Sequence, residues 1–68
     1  MAPKPKIGKN LKSIRKEKGF TQAEVAKQAG VSVNYYARIE RDEVNASLEV
    51  FEEIVKVLKV KSSAILNF

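Results

Sequence analysis

The order of apolar and polar residues along the chain predicts helices and no strands. Apolar residues recur at spacings of three and four, the period of one helix face, and no segment alternates with period two. The first such face comes from Ile7, Leu11 and Ile14. We expect this helix to end at Gly19, because glycine readily adopts the left-handed conformation that closes a helix. Phe20 then enters the core.

The second predicted helix has a signal at each end. Thr21 and Glu24 form a T-x-x-E capping box, in which the threonine hydroxyl accepts from the third helical amide and the glutamate reaches back to the threonine amide. Gly30 stops the helix. Its inward face should be formed by three small or branched residues, Val25, Ala26 and Ala29.

Serine caps predict the remaining helices. Ser32 should cap a third helix, residues 33 to about 41, and Ser47 a fourth. A last short turn should start at residue 62 or 63 and run through Leu66. The pattern therefore predicts an all-α, compact five-helix domain. The apolar residues expected on the inner side of the fourth helix are Leu48, Phe51, Ile54, Val55 and Leu58.

The junction between helices 2 and 3 is the most informative feature. Two short helices joined through Gly30 and Val31 must cross steeply, and small residues are needed where their backbones meet. Helix 3 should then project with one face uncovered. Side chains of this kind suit base edges: asparagine pairs with adenine, arginine forks onto guanine, and valine packs on a thymine methyl. The uncovered residues are Val33, Asn34, Ala37 and Arg38, with Tyr35 at their side.

Composition narrows the function classes. The chain of 68 residues contains no cysteine and no histidine, so we expect no disulfide, no zinc site of the usual ligands and no cofactor. A core this small leaves no room for an enclosed catalytic pocket, and we expect no enzyme activity. The longest apolar run is far too short to span a membrane. A chain without cysteine or a signal peptide is typical of a cytoplasmic protein.

Positive charge is concentrated at one end. The formal net charge is +5, and residues 1–18 carry seven Lys or Arg against one acid. Pro3 and Pro5 favour an extended arm over residues 1–6, ahead of a domain over residues 7–68. The arm, together with Lys9, is expected to contact phosphates, although a solubilising tail has the same composition.

The stretch FTQAEVAKQAGVSVNYYARIER, residues 20–41, resembles the Cro/repressor (XRE) helix-turn-helix family. The likeness extends to IRKEKG before it and NASLEVFEEIVKVLKV after it, so it covers most of the chain. It is similar to small phage repressors and to restriction-modification controller proteins. The resemblance implies a repressor-like fold and a regulator of transcription that binds double-stranded DNA.

The resemblance also implies roles for individual residues. Helix 3 should read bases through the four uncovered residues named above. Arg15 and Glu40 match a structural ion pair between helices 1 and 3. Three positions depart from the family pattern: Tyr36 replaces an aliphatic residue and should lie partly under helix 2 with its hydroxyl at the edge, Asp42 replaces glycine, and Ala46 replaces proline. The residues expected at the DNA backbone are Lys9, Gln22, Ser32, Tyr35, Asn45 and Ser47.

The sequence allows more than one partner besides DNA. A regulator of this kind is expected to bind an imperfect palindrome as a homodimer formed through its C-terminal third. The alternatives are that Phe68 covers the chain's own domain, that the chain belongs to a longer regulator, or that it acts as an interaction module, for example by neutralising a toxin. The residues expected in the dimer interface are Val50, Val57, Ile65, Leu66 and Phe68.

Overall fold

The computed structural model describes residues 7–61 and residue 65. Over these residues the chain forms four helices and no strand. The all-α class is confirmed, but the predicted count of five helices is not. The fifth lies in residues 62–66, where only Ile65 is described, in helical conformation. The helices are α1 (Ile7–Glu17), α2 (Gln22–Ala29), α3 (Val33–Glu40) and α4 (Leu48–Leu58).

Side-chain caps start the last three helices where the sequence predicts. The Thr21 hydroxyl accepts a hydrogen bond from the Glu24 amide at 3.1 Å, and the Glu24 carboxylate accepts from the Thr21 amide at 2.9 Å. Ser32 and Ser47 each accept from the amide three residues later, at 3.1 and 3.2 Å. Each cap satisfies a helical amide that has no partner within its own helix.

All four helices end in one backbone motif. A residue with positive φ follows the helix, and the next amide donates to the carbonyl five residues before it, which is a Schellman motif. Two of these positions are glycines, as predicted, but the other two carry side chains in this conformation. The helix α1 therefore ends two residues before Gly19. The positive-φ residues are Gly19, Gly30, Asp42 and Lys59, with φ of 80°, 78°, 57° and 55°.

The core lies where α2 packs against both α3 and α4, and α1 closes it by packing on α3. Tyr36 is completely buried, and its hydroxyl is buried with it, so the predicted position of this hydroxyl at the edge is wrong. Leu48 is 73% exposed, so its predicted place on the inner face of α4 is also wrong. The fully buried residues of α4 are Ile54 and Leu58, and Leu48 lies in the first turn, ahead of the half-buried Val50 and Phe51. The buried apolar residues are Leu11, Val25, Ala26, Ala29, Tyr36, Ile39, Ile54, Leu58 and Ile65.

The N-terminus of α1 is fitted closely onto the end of α3. A Cβ at Gly8 would lie 2.5 Å from the carbonyl oxygens of both Ile39 and Glu40, so only glycine allows this approach. The Gly8 amide donates to the Asp42 carboxylate at 3.0 Å, across 34 residues of sequence. Asp42 therefore caps α1 from the loop after α3.

Ile65 belongs to the core of its own chain. Its side chain is fully buried, and its carbonyl accepts a hydrogen bond from the Asn10 amide group of α1 at 3.0 Å. Its predicted place in a dimer interface is therefore corrected, because a buried residue presents no surface to a second copy. Leu66 and Phe68 lie outside the described residues, as does the predicted arm, residues 1–6.

Candidate nucleic-acid interface

The link between α2 and α3 is short and closed by its own backbone. Gly30 has φ of 78°, and the Val31 amide donates to the Ala26 carbonyl at 3.0 Å. Ala26 and Ala29 are buried, so the two helices approach closely at small side chains. Val31 is partly buried against the core. This arrangement packs α3 closely against α2 while leaving its other side uncovered.

The outer face of α3 carries the candidate base-reading residues. Val33 is 45% exposed, and Asn34 and Arg38 are also exposed. Ala37 is half-buried between them. Residues at i, i+1, i+4 and i+5 share one side of a helix, so these four form one continuous face. On the opposite side, the three buried residues of α3 are Tyr36, Ile39 and Glu40.

Three of the candidate phosphate-binding residues stand at helix N-termini. Gln22 begins α2, and Ser32 and Ser47 precede α3 and α4. Helix N-termini favour anions because their amides point outward and the helix dipole is positive there. Each serine hydroxyl accepts from its own helix, which leaves its O–H free to donate to a phosphate. Of the other candidates, Lys9 and Asn45 are exposed and Tyr35 is half-buried.

A buried ion pair joins three helices behind this face. Arg15 Nε donates to Glu40 Oε2 at 2.6 Å and Arg15 Nη2 to Glu40 Oε1 at 3.2 Å, with side chains 9% and 1% exposed. The third guanidinium nitrogen of Arg15, Nη1, donates to the Phe20 carbonyl at 2.8 Å. Gln22 Nε2 donates to Glu40 Oε1 at 3.0 Å. The family resemblance implied the Arg15–Glu40 pair, and it implied that Gln22 supports the reading helix. It did not identify Glu40 as the residue that Gln22 contacts, since nothing local links residues 18 positions apart.

The ionisation of this cluster follows from its burial and its partners. Burial raises the pKa of Glu40, but hydrogen bonds from Arg15 and Gln22 and the charge of Arg15 outweigh it, so the pKa lies below its ordinary value. The hydrogen bond to Glu40 raises the pKa of Arg15. Burial, with the nearby Glu40 charge, raises the pKa of Tyr36 far above its usual range. The Tyr36 hydroxyl feels these charges, yet no described partner meets hydrogen-bond geometry with it.

The buried ion pair therefore also orients Gln22, a candidate phosphate-binding side chain. A glutamine amide group has two N–H donors, and Gln22 uses one of them on Glu40. The second N–H remains available to an incoming phosphate oxygen. Because Glu40 is itself held by Arg15, the position of Gln22 depends on helices α1 and α3 as well as on α2.

A second, exposed charge cluster lies at the end of α3. Arg41 Nε donates to Glu43 Oε2 at 2.5 Å, and Arg38 Nε lies 3.6 Å from Glu43 Oε1. The hydrogen bond from Arg41 lowers the pKa of Glu43, and the charges of both arginines act in the same direction. The structure thus brings Arg38, a candidate base reader, beside the Glu43 carboxylate.

Other kinds of site find no support in the described part of the chain. Among residues 7–61 and 65, no three carboxylate, histidine or cysteine side chains are grouped as a metal site requires. Over the same residues, no helix is both long enough and apolar enough to cross a bilayer.

Comparison with known families agrees with this geometry. Residues 11–65 match the helix-turn-helix family. The chain is 42% identical over 61 residues to the immunity repressor protein of Bacillus phage phi105, covering 90% of this chain and 42% of that protein. It is 39% identical over 62 residues to the transcriptional regulator SinR of Bacillus subtilis, covering 90% of this chain and 56% of SinR. The chain thus spans about half the length of these curated relatives.

Solved structures show the same fold. The restriction-modification controller protein C.AhdI from Aeromonas hydrophila superposes with a TM-score of 0.85 at 26% identity, over 90% of this chain and 92% of that one. The N-terminal DNA-binding domain of SinR from Bacillus subtilis superposes with a TM-score of 0.79 at 39% identity, over 88% of each chain. Repressor and controller proteins are the two groups that the sequence resemblance indicated.

Proposed function

Because this chain belongs to the helix-turn-helix family, we propose that it is a regulator of transcription that binds specific sequences of double-stranded DNA and reads the major groove with α3. The observation that carries the proposal is the outer face of α3. Four neighbouring side chains lie on it while the opposite side is buried in the core. A helix fixed in this way can enter the major groove, where each base pair presents a distinct pattern of donors and acceptors.

The chemistry of the four residues assigns each a kind of base. Arg38 donates two parallel hydrogen bonds to O6 and N7 of guanine, and Asn34 pairs with N6 and N7 of adenine. Val33 and Ala37 pack against thymine methyl groups. The relatives include a repressor, which favours repression as the direction of control.

Phosphate contacts hold α3 in register. Gln22, Ser32 and Ser47 supply donors at three helix N-termini, where the dipole adds to the attraction. Lys9 adds charge from the exposed side of α1, and Tyr35 and Asn45 add polar groups beside α3 and before α4. Contacts of this kind position the protein without reading sequence.

Selection of bound sequences from random duplexes tests the proposal directly. Arg38→Ala should then cost about 1–3 kcal/mol on the selected site and relax preference at one base pair, and Asn34→Ala should do so at a neighbouring pair. Lys56→Ala is the matched control, since it removes one exposed positive charge from α4. Equal losses on selected and scrambled duplexes would show that neither residue reads bases.

The basic arm is proposed to bind phosphates outside the groove. Deleting residues 1–6 removes two lysines, Lys4 and Lys6. If both meet phosphates, the slope of log affinity against log salt should flatten by up to roughly 1.8, at about 0.9 per contact. An unchanged slope would identify the arm as a solubilising tail.

A two-fold dimer is proposed to bind the operator. One reading helix contacts few base pairs, so two copies on half-sites roughly 34 Å apart give the discrimination that a genome demands. Val50 and Val57 are half-buried on α4 and remain candidates for this interface, with Leu66 and Phe68 from the segment outside the described residues. Sedimentation at micromolar concentration measures the association. A monomer that binds one half-site as tightly as a palindrome would contradict the dimer.

A further inference from the structure

The backbone itself places Glu43 beside Arg38. The Glu43 amide donates to the Arg38 carbonyl at 2.9 Å, and the Asp42 amide donates to the Ile39 carbonyl at 3.0 Å. Asp42 adopts positive φ to allow both bonds. This Schellman motif folds the chain back over the last turn of α3, so the Glu43 side chain starts next to the reading face whatever rotamer it adopts.

Glu43 shares its charge between two arginines that differ in position. Arg41 donates to both carboxylate oxygens, to Oε2 at 2.5 Å and to Oε1 at 3.4 Å, whereas Arg38 lies 3.6 Å from Oε1. The side chains of Arg38 and Glu43 are each 46% exposed. The contact to Arg38 is therefore the weaker of the two, and it is open to exchange with a ligand. Arg38 therefore stays paired with the Glu43 carboxylate when DNA offers it no stronger hydrogen-bond acceptor.

Building on the proposed function, we propose that Glu43 is a specificity-determining residue that competes with DNA for Arg38. Guanine offers two acceptors, O6 and N7, in the geometry of the guanidinium fork, and can replace the carboxylate. Adenine offers only N7 and turns a donor, N6, toward the arginine. On such a site Arg38 stays on Glu43. Only binding to the G·C site then costs the free energy of breaking this ion pair, so Glu43 lowers the preference of Arg38 for guanine.

The test compares Glu43→Gln with the parent on two duplexes. One duplex is the site selected from a random pool, and the other carries A·T in place of G·C at the pair where Arg38→Ala loses preference. Glu43→Gln should strengthen binding to the selected duplex more than binding to the altered one, raising the ratio of the two affinities about two- to fivefold, the range of an exposed ion pair. Glu49→Gln is the control, because Glu49 is an exposed carboxylate with no ion pair among the described residues.

Three outcomes separate the explanations. An unchanged ratio in Glu43→Gln, with both affinities raised equally as in Glu49→Gln, would mean that Glu43 only repels phosphates and would overturn the proposal. If Glu43 acts through Arg38, the change in ratio should vanish when both residues are replaced; persistence of the change would also overturn it. A parent protein that enriches no sequence at all would overturn the proposed function itself, and this inference with it.

Discussion

Two arginine–glutamate pairs of nearly equal length lie at opposite sides of α3. The Arg15–Glu40 pair measures 2.6 Å and the Arg41–Glu43 pair 2.5 Å, but their side chains are 9% and 1% exposed in the first and 54% and 46% in the second. The distance between charges therefore says little about what each pair does. A buried pair that loses one member leaves a charge without solvent or partner, whereas an exposed charge is resolvated at once.

Because the two pairs differ in exposure, we expect them to have different roles, one in the fold and one in binding. The buried pair, with Gln22, ties α1, α2 and α3 into one body and fixes the direction in which α3 projects. The exposed pair lies where a ligand can reach it, beside Arg38.

Breaking the buried pair should have the largest effect. Glu40→Ala should lower the free energy of unfolding by about 3–5 kcal/mol, because the Arg15 charge stays buried without its partner. That is comparable with the whole stability of a domain this small. Glu43→Ala is the matched variant and should hardly move the unfolding midpoint. Thermal unfolding followed by circular dichroism measures both, and similar midpoints for the two variants would contradict the comparison.

The same replacement should spare sequence preference. Glu40→Ala releases Gln22, so affinity for all duplexes should fall, but the ratio of selected to scrambled DNA should persist at temperatures where the variant is folded. A lost ratio would mean that the pair also orients the base-reading face.

Acid should weaken the Arg15–Glu40 pair by protonating Glu40, with a smaller effect on stability than Glu40→Ala. The folded-state pKa of Glu40 lies below its unfolded value, so its contribution is present above the ordinary glutamate range, about pH 4.3, and is lost as the pH falls through the folded pKa. The pKa of Glu43 is also lowered, mainly by the hydrogen bond from Arg41. Solvent screens the exposed Glu43 pair more than the buried Glu40 pair, so urea unfolding between about pH 5 and 3 should lose more of its pH slope in Glu40→Gln than in Glu43→Gln. Equal slopes would contradict the assignment.

The close approach of α1 to α3 at Gly8 tests how tightly the two helices that carry the buried pair pack together. Gly8→Ala would bring a methyl group to 2.5 Å from two backbone carbonyl oxygens, which cannot move without displacing the end of α3. Overpacking of this kind costs about 1–3 kcal/mol. Ser13→Ala, at an exposed position of the same helix, is the control. A Gly8→Ala protein as stable as this control would show that α1 can shift freely.

The cap on α1 should give the smallest change. Asp42→Ala removes the acceptor for the Gly8 amide and should cost about 1 kcal/mol, the usual contribution of a helix cap. Asn at position 42 keeps an acceptor oxygen and tolerates positive φ well, so Asp42→Asn should nearly preserve stability. Denaturant midpoints compare the two variants. A loss in Asp42→Asn as large as in Asp42→Ala would show that the carboxylate charge, rather than the hydrogen bond, is required.

Local signals in the sequence determined the helices and the turn between α2 and α3. These signals act on backbone groups within a few residues, so the sequence alone is enough to place them. They are the capping box at Thr21, the serine caps at Ser32 and Ser47, and the glycines at 19 and 30. The exposed face of α3 follows from the helical period in the same way.

Only the tertiary structure decided which distant residues meet. The cap from Asp42 to Gly8, the bond from Gln22 to Glu40 and the burial of Ile65 each join segments far apart in sequence, and no local pattern encodes such contacts. The errors at Leu48 and Tyr36 have the same origin. Periodicity tells which side of a helix is apolar, but how far along its length a neighbouring helix covers that side depends on how the helices pack.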